Sequence, residues 1–415
     1  MLDSSMDSSD AAPDDAAGEQ QLSRPAVPPA SGGQGSLRSD WLQRAGGTSQ
    51  RRWLLAAGIV LLVLAAGGAA ALLLPGKRTV SDGADQGQQG TLPVADERDQ
   101  TKVSVSGLSG RECADAQRRP IGVMLASDPI NRPVSGFAAA DMVFELPVLV
   151  SDVTRLLALY QCGRPDDIGS VRSARHDYLF LAEGEDAILA HWGGSYHALN
   201  RIAAGEFKTI NALTNPYNAF FRKSNLPAPY NGFTTYENLW NALQKLGYRT
   251  ETTLAGYSFQ ADPPPVERGP AGTLSIAWPG AFRVHYVYDP AINRYQRYWA
   301  GVKQVDGGLG GEPVAPSAVL IMQAANGPAE GPGGYNDVDI EGSGDLTVYQ
   351  NGRVIQGRWE KNELYKNDPV HFLDESGQPI PLTAGQVWVM AVEPHIGVTW
   401  EPVSVASPLP AGATP

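Results

Sequence analysis

Residues 169–175 combine a glycine with two arginines, and this combination is suited to binding an anion. The segment Gly-Ser-Val-Arg-Ser-Ala-Arg is predicted to lead into a helix, whose first turn offers free backbone N–H groups. Arg172 and Arg175 would share one helix face if the helix begins early, and their guanidinium groups could hold a carboxylate or phosphate. In the alternative interpretation both arginines pair with acids of the same domain. Three such acids are available: Asp141, Glu145 and Asp152.

Residues 191–195 lie where a predicted strand ends and a predicted helix begins. Ligands collect at such carboxyl ends of strands in α/β sheets. The two glycines of this segment allow close backbone approach, and Ser195 can cap the helix that follows. Ser195 could instead act as a nucleophile, with His191 or His197 as its base. The pattern Gly-x-Ser-x-Gly is incomplete because residue 197 is histidine, so a capping serine beside a ligand pocket is favoured.

An acidic segment, residues 337–345, matches the first half of a calcium-binding loop, with acids at positions one, three and five and glycine at six. Position twelve, which requires a bidentate glutamate, is Val348. The acids also alternate with apolar residues, so a solvated strand edge is favoured. The sequence predicts no metal site and no cofactor. Three histidines lack metal-ligand spacing and are interpreted as structural or surface residues: His285, His371 and His395.

The composition restricts the class of protein. The 415 residues include 44 acids and 32 bases, which gives a net charge of −12. This acidic balance argues against a nucleic-acid partner, whose phosphates attract basic surfaces. The two cysteines, Cys113 and Cys162, cannot form a four-cysteine zinc site. They would form a disulfide if the domain lies in an oxidising space, or pack as small buried apolar residues otherwise, and both alternatives remain open.

Residues 53–74 form an uncharged run of 22 residues, long enough to cross a bilayer as a helix. Such a span would anchor the chain in a membrane, and we assign residues 52–74 to it. Basic residues are in excess on its N-terminal side, which predicts a cytoplasmic N-terminus and extracytoplasmic C-terminal domains. Four bases precede the span and two follow it: Arg38, Arg44, Arg51 and Arg52, then Lys77 and Arg78.

The remaining chain divides by composition into tails, linkers and two folded domains. Polar segments with few large apolar residues cannot bury enough surface to offset their chain entropy. The predicted organisation is a disordered cytoplasmic tail (1–51), the span (52–74), a flexible linker (75–105), an N-terminal domain (106–262), a proline-rich linker (263–280), a C-terminal domain (281–402) and a disordered tail (403–415).

The N-terminal domain alternates predicted strands with predicted helices, which is typical of a layered α/β domain. Strands are predicted at 121–125, 141–146, 154–162 and 186–192, and helices at 173–183, 195–204 and 235–246. Thr235 is the predicted N-cap of the last helix. The C-terminal domain is predicted to be mostly antiparallel β, with strands at 282–288, 318–323, 337–341, 346–350, 354–359 and 387–392. Asn351-Gly352 predicts a two-residue hairpin. The predicted fold class is therefore α+β, preceded by one transmembrane helix.

Several motifs resemble the YerB-like family of predicted bacterial lipoproteins. In the first half they are RRPIGVML, NRPVSGFAAADMVFE, VTRLLALYQ, IGSVRSARHDYLFLA and DAILAHWGGS. In the second half they are YDPAINRYQRYWAG and VDIEGSGDLTVYQNGRVIQGRWEK. The resemblance covers about residues 118–392. It implies an N-terminal domain of unknown function followed by its C-terminal companion, in a membrane-attached, outward-facing bacterial protein, and it implies no activity.

The chain departs from that family pattern at two places. Members typically carry an asparagine-histidine pair where this chain has Ser127-Asp128, which argues against a histidine-based mechanism at that point. No lipobox cysteine follows the apolar run, since Cys113 lies far downstream. This departure predicts that the chain is anchored by its helix rather than by a lipid.

Three functions are compatible with these residues. The first is a cell-envelope binding or accessory protein that holds an anionic small molecule or cell-wall ligand in a cleft. The second is an envelope hydrolase or transferase that uses Ser195 and His191, with Arg172 stabilising an oxyanion. The third is a structural interaction domain. The predicted ligand site comprises ten residues: Asp128, Asn131, Arg155, Arg172, Ser173, Arg175, His191, Gly193, Gly194 and Ser195.

Overall fold

The computed structural model describes residues 104–148, 153–329 and 334–403. All of them belong to one unit, Leu92–Pro415. The predicted tail, the predicted transmembrane span and most of the 75–105 linker lie outside the described residues, as do residues 404–415. Among the helices in the described ranges, none has the length and apolar character needed to cross a bilayer.

The described residues form three α-helices and 24 strands. The helices are α1 (His176–Gly184), α2 (Tyr196–Ala203) and α3 (Tyr236–Lys245). The strands of the first half are β1 (Ser104–Val105), β2 (Glu112–Cys113), β3 (Ile121–Ala126), β4 (Met142–Pro147), β5 (Thr154–Tyr160), β6 (Ile168–Gly169), β7 (Ile188–His191), β8 (Thr209–Asn211), β9 (Phe220–Arg222), β10 (Gly232–Thr234) and β11 (Phe259–Gln260). Those of the second half are β12 (Gly272–Ile276), β13 (Val284–Asp289), β14 (Arg294–Trp299), β15 (Val302–Lys303), β16 (Ala318–Gln323), β17 (Asn326–Pro328), β18 (Asn336–Val338), β19 (Gly342–Gln350), β20 (Arg353–Lys361), β21 (His371–Asp374), β22 (Leu382–Thr383), β23 (Val387–Val392) and β24 (Val398–Pro402).

A ten-stranded mixed sheet runs through both halves of the chain, in the order β21-β20-β19-β16-β23-β4-β5-β3-β7-β8. The junction is the parallel pair β23–β4, in which Val387 lies opposite Met142. β23 also pairs in parallel with β16, so the second half is not purely antiparallel. Strands from both predicted domains therefore share one sheet, and a smaller antiparallel sheet has the order β15-β14-β13-β12-β24.

The central strands of the ten-stranded sheet are buried on both faces, which explains why they read as continuous apolar runs. In β23, Trp388 and Met390 pack with the five-stranded sheet and α3 in one core. Val387 and Val389 of the same strand point to the other face and pack in a second core with α1 and α2. The described part of the chain is thus largely β with three helices, in agreement with the α+β class.

Local signals position several elements as predicted. Ser195 is the N-cap of α2 and its hydroxyl accepts a hydrogen bond from Ala198 N. Thr235 caps α3 in the same way, through Asn238 N. Asn351 and Gly352 join β19 to β20 with φ of 57° and 66°. Positive φ at both positions is what a type I′ turn requires, so the predicted hairpin is confirmed.

Cys113 and Cys162 form a disulfide, with 5.9 Å between their Cα atoms. Beside the bridge, the buried Asp141 carboxylate accepts hydrogen bonds from the backbone N–H groups of Gln161 and Cys162. Of the two alternatives left open by the sequence, the structure has the bridge. It ties the start of the described chain to the residues that follow β5.

Candidate functional site

Residues 171–174 form an extended segment between the carboxyl ends of two parallel strands. Arg172 N donates to Met124 O of β3, and Arg172 O accepts from Trp192 N just after β7. Ala174 continues this ladder through Gly193 O and Ser195 N. Because these hydrogen bonds hold the segment extended, α1 starts only at His176.

This geometry corrects the predicted placement of the two arginines. Arg175 is the N-cap of α1, with φ −122° and ψ 156°, and Arg172 lies before the helix. The expectation that both occupy one face of a helical first turn, from a helix beginning at residue 173, is therefore wrong. The sheet edge, rather than the helix, brings Arg172 and Arg175 together.

Arg155 joins them from β5, where it pairs in register with Ala126 of β3. Its side chain is buried and its Nη1 donates to Ser173 O at 3.2 Å. Burial, together with the positive charges of Arg175 and Arg172, lowers the pKa of Arg155 to about 9. The three guanidinium groups therefore lie close enough to repel one another.

None of these three arginines forms an ion pair with a carboxylate in the described ranges. Two acids that the alternative interpretation offered as partners are engaged elsewhere. Asp141 lies 3.3 Å from Arg111 Nη2, and Glu145 lies 2.6 Å from Arg297 Nη2. The third, Asp152, lies outside the described residues. The Nε atoms of the three arginines are buried, and no partner for them occurs in the described part of the chain.

Two tyrosines and one aspartate complete the surroundings of the cluster. The Arg172 guanidinium lies 4.8 Å from the centre of the Tyr230 ring, and that of Arg175 lies 5.0 Å from the Tyr335 ring. Tyr230 donates its hydroxyl to Asp128 Oδ1 at 3.2 Å. Sequence reasoning included Asp128 but missed both tyrosines, because each lies in a loop far along the chain with no local motif.

Asn131 has a structural position. It is buried in a short 3₁₀ turn, Pro129–Asn131, and its Nδ2 donates to Ala126 O at 3.3 Å. This hydrogen bond holds the turn that follows β3 and begins directly after Asp128. Among the ten predicted residues, Asn131 therefore supports the site and does not present its side chain to it.

His191 is fully buried, so its side chain offers no surface to a ligand in this structure. Its Nδ1 donates to Gly193 O at 2.7 Å, and its Nε2 accepts from the Thr209 hydroxyl at 3.0 Å. Burial lowers the pKa of His191 to about 4. The imidazole is therefore neutral near pH 7 and fixes the turn through Gly193 and Gly194 that holds residues 172–174.

Ser195 is also fully buried, and its hydroxyl caps α2. Neither nitrogen of His191 contacts it, since both are bonded elsewhere. His197, the other histidine considered as a base, lies in α2 with its ring 5.4 Å from that of His176. The capping interpretation fits this arrangement, and a serine–histidine nucleophilic pair does not.

A second group of polar side chains lies next to the arginines. His176 Nε2 is 2.9 Å from Asp337 Oδ1 and 3.1 Å from Asp177 Oδ1. Burial and the neighbouring Asp337 raise the pKa of Asp177 well above its usual value. Within the acidic segment, Asp337 and Asp339 are exposed while Val338 and Ile340 are buried, as on a strand edge. Sequence reasoning missed the group because Asp337 lies 161 residues after His176.

Comparisons with known proteins identify relatives over most of the described chain. Residues 105–249 match the family described as "Protein of unknown function (DUF3048) N-terminal domain", and residues 274–389 match its C-terminal domain. The chain is 30% identical over 305 residues to "Putative lipoprotein YerB" of Bacillus subtilis (strain 168), covering 72% of this chain and 88% of that protein. The crystal structure of YerB from Bacillus subtilis is similar, with a TM-score of 0.63 and 27% identity over 71% of this chain and 99% of that one.

Proposed function

We propose that this chain, which belongs to the DUF3048 family together with YerB, is an accessory protein of the bacterial cell envelope. In this proposal it binds an anionic ligand through Arg155, Arg172 and Arg175. The family assignment agrees with the resemblance seen in the sequence motifs. The family descriptions state no activity, so the nature of the ligand is inferred from the chemistry of the arginines.

The arginine cluster is the observation that carries the proposal. Three guanidinium groups converge, and in the described ranges no carboxylate pairs with them. Bringing like charges together costs free energy, and a bound anion would offset that cost. Arginine also presents planar pairs of N–H donors that match carboxylate and phosphate oxygens. The Tyr230 and Tyr335 rings stack on Arg172 and Arg175, respectively, and these contacts orient both guanidinium groups.

Two observations support an extracytoplasmic location. The Cys113–Cys162 disulfide is the form expected of cysteines in an oxidising space outside the cytosol. The relative's name, a lipoprotein, indicates attachment to a membrane for that protein. For this chain we propose attachment through the predicted helix at residues 52–74, with the N-terminus cytoplasmic and residues 104–403 outside.

Binding of a simple oxyanion tests the arginine cluster directly. The full chain, in a neutral detergent, is heated with and without inorganic phosphate at constant ionic strength. The double variant Arg172→Gln/Arg175→Gln removes two charges, and Arg353→Gln is the matched control because Arg353 is exposed and bonded to Glu267 O. We expect phosphate to raise the Tm of the wild type and the control, but not that of the double variant.

Two results would overturn the proposed anion site. One is an equal phosphate-dependent Tm rise in the double variant, which would place the anion elsewhere. The other is the absence of any rise in wild type with phosphate or with acetate, which represents the carboxylate alternative. The Tm of each protein without added anion shows separately whether the substitutions disturb folding.

A further inference from the structure

We propose that His176, Asp177 and Asp337 bind one divalent metal ion, with Zn²⁺ preferred over Mn²⁺ and Ca²⁺. His176 and Asp177 are the first two residues of α1, and Asp337 lies in β18. One nitrogen and two carboxylate oxygens of these residues lie within 4.8 Å of one another. The site lies beside the arginine cluster, with Arg175 directly before His176 and its charge acting on Asp177, but it includes none of the three arginines and does not depend on the proposed anion binding.

The spacing of the three atoms matches that of ligands around a metal. Two ligand atoms about 2.1 Å from an ion are about 3.4 Å apart at the tetrahedral angle typical of Zn²⁺, and about 3.0 Å apart at a right angle. The His176 Nε2 atom lies 2.9 Å from Asp337 Oδ1 and 3.1 Å from Asp177 Oδ1. Little movement would therefore be needed to admit an ion between them.

The His176 imidazole cannot hydrogen-bond both carboxylates through Nε2 at once. A single imidazole nitrogen carries at most one proton, yet here Nε2 faces two carboxylates at nearly equal distances. Asp177 is only 3% exposed, so apart from a hydrogen bond with the Val338 backbone its carboxylate has little solvent to stabilise its charge. A divalent cation would compensate both carboxylates and accept the nitrogen lone pair.

The site is open on one side and has room for further ligands. The Asp337 side chain is 64% exposed, which gives an ion a route of entry. The three residues line a cavity of about 430 Å³. Arg201 also lines it, but its guanidinium pairs with Glu206 at 2.9 Å, which reduces its repulsion toward a cation. Water or a ligand oxygen could complete the coordination from the cavity.

A second histidine, His197, lies beside His176 but is not one of the three residues whose ligand atoms lie within 4.8 Å of one another. Its ring lies 5.4 Å from that of His176. Its Nε2 atom is buried, and no hydrogen-bond partner for it is found in the described residues. An unpaired buried nitrogen costs free energy, and a metal ion or a metal-bound water would relieve that cost. His197 is therefore a neighbour that could hydrogen-bond a metal-bound water, and it is not counted among the ligands.

The ligand set selects the class of metal. Imidazole nitrogen with carboxylate oxygens suits Zn²⁺ and Mn²⁺, whereas Ca²⁺ prefers oxygen ligands only. For a given set of nitrogen and oxygen ligands, Zn²⁺ binds more tightly than Mn²⁺. The same argument separates this site from the incomplete calcium-loop pattern at residues 337–345, whose ligands would all be oxygens.

Titration calorimetry on the metal-stripped full chain in detergent tests the inference, with ZnCl₂, MnCl₂ and CaCl₂ as separate titrants. We expect one Zn²⁺ per chain, weaker binding of Mn²⁺ and at least tenfold weaker Zn²⁺ binding in His176→Gln and in Asp337→Asn. Asp339→Asn is the matched control, because this exposed acid lines the same cavity but is not in the set, and it should bind Zn²⁺ within twofold of wild type.

Several outcomes would overturn the metal site. They are the absence of saturable Zn²⁺ binding, unchanged Zn²⁺ affinity in both ligand variants, or tighter binding of Ca²⁺ than of Zn²⁺. Asp337 is exposed, so its variant should fold, and the metal-free Tm of each variant checks this. A negative Zn²⁺ titration would leave the phosphate experiment unaffected, since that experiment uses different variants.

Discussion

Glu145 Oε2 lies 2.6 Å from Arg297 Nη2, and both side chains are fully buried. Glu145 belongs to the ten-stranded sheet and Arg297 to the five-stranded sheet, so this ion pair connects the two across 152 residues of sequence. Trp388 Nε1 and the Thr154 hydroxyl also donate to the Glu145 carboxylate. Because its carboxylate is already bonded to these groups, Glu145 does not pair with the arginine cluster.

Breaking the pair from the arginine side should strongly destabilise the fold. Arg297→Met leaves the Glu145 charge buried without its cation, and we expect the free energy of unfolding to fall by about 3–5 kcal/mol. Chemical denaturation of the full chain in detergent measures this. The double variant Glu145→Gln/Arg297→Met should lose less, because it leaves no unpaired charge. Wild-type stability in Arg297→Met would contradict the assigned role.

The buried His191 should make the protein less stable in mild acid. Its folded pKa of about 4 lies below the ordinary value of 6.5, so between these pH values the unfolded chain binds the proton more readily. The contribution of His191 to stability is therefore complete above pH 6.5 and is lost as pH falls toward 4. We expect wild type to lose about 2 kcal/mol more than His191→Gln between pH 7 and pH 5.

The comparison with His191→Gln is needed because Glu185 acts in the opposite direction. Burial raises the pKa of Glu185 to about 7, so its contribution grows as pH falls. This term is common to both proteins and cancels in the difference. Parallel pH profiles for wild type and His191→Gln would show that His191 does not titrate as a buried neutral imidazole.

Removing the disulfide should lower the free energy of unfolding, because the unfolded chain gains conformational entropy without the bridge. The bridge closes a loop of 49 residues, and the chain-entropy relation gives about 4 kcal/mol for a loop of that size. We expect Cys113→Ser/Cys162→Ser to lose about this much in chemical denaturation, and reduction of wild type with dithiothreitol to give the same loss. If reduced wild type unfolds at the same denaturant concentration as the oxidised protein, the bridge does not contribute in this way.

The two helix caps offer a matched pair of substitutions. The Ser195 hydroxyl accepts from Ala198 N at 3.2 Å, and the Thr235 hydroxyl accepts from Asn238 N at 3.0 Å. Ser195→Ala and Thr235→Ala should each cost about 1 kcal/mol of stability. Ser195→Ala should also keep the phosphate-dependent Tm rise. Loss of that rise in Ser195→Ala alone would give Ser195 a role at the ligand site.

The proposed topology predicts how protease acts on intact cells that express the full chain with a tag at each end. A protease of broad specificity, added outside the cells, should reach the C-terminal tag and residues 104–403, while the N-terminal tag should be protected. Lysed cells, in which both tags are digested, serve as the control. Protection of the C-terminal tag together with loss of the N-terminal one would reverse the orientation.

Much of the local structure was predictable from the sequence. The strands at 318–323 and 387–392 were predicted with the bounds that the structure has, since each is a short apolar run. The caps at Ser195 and Thr235 and the Asn351-Gly352 hairpin followed from residue types at fixed positions. These features depend on hydrogen bonds and backbone angles among near neighbours, which the sequence specifies directly.

Tertiary structure decided the parts that join distant residues. The start of α1 at His176 depends on hydrogen bonds from residues 172–174 to β3 and to the turn after β7, and no local signal carries that information. Tyr230 and Tyr335 reach the arginines, and Asp337 reaches His176, only because segments far apart in sequence meet in the fold. The pairing of β23 with β4 likewise depends on which apolar faces bury each other across the whole chain, and many alternative pairings satisfy the same local pattern.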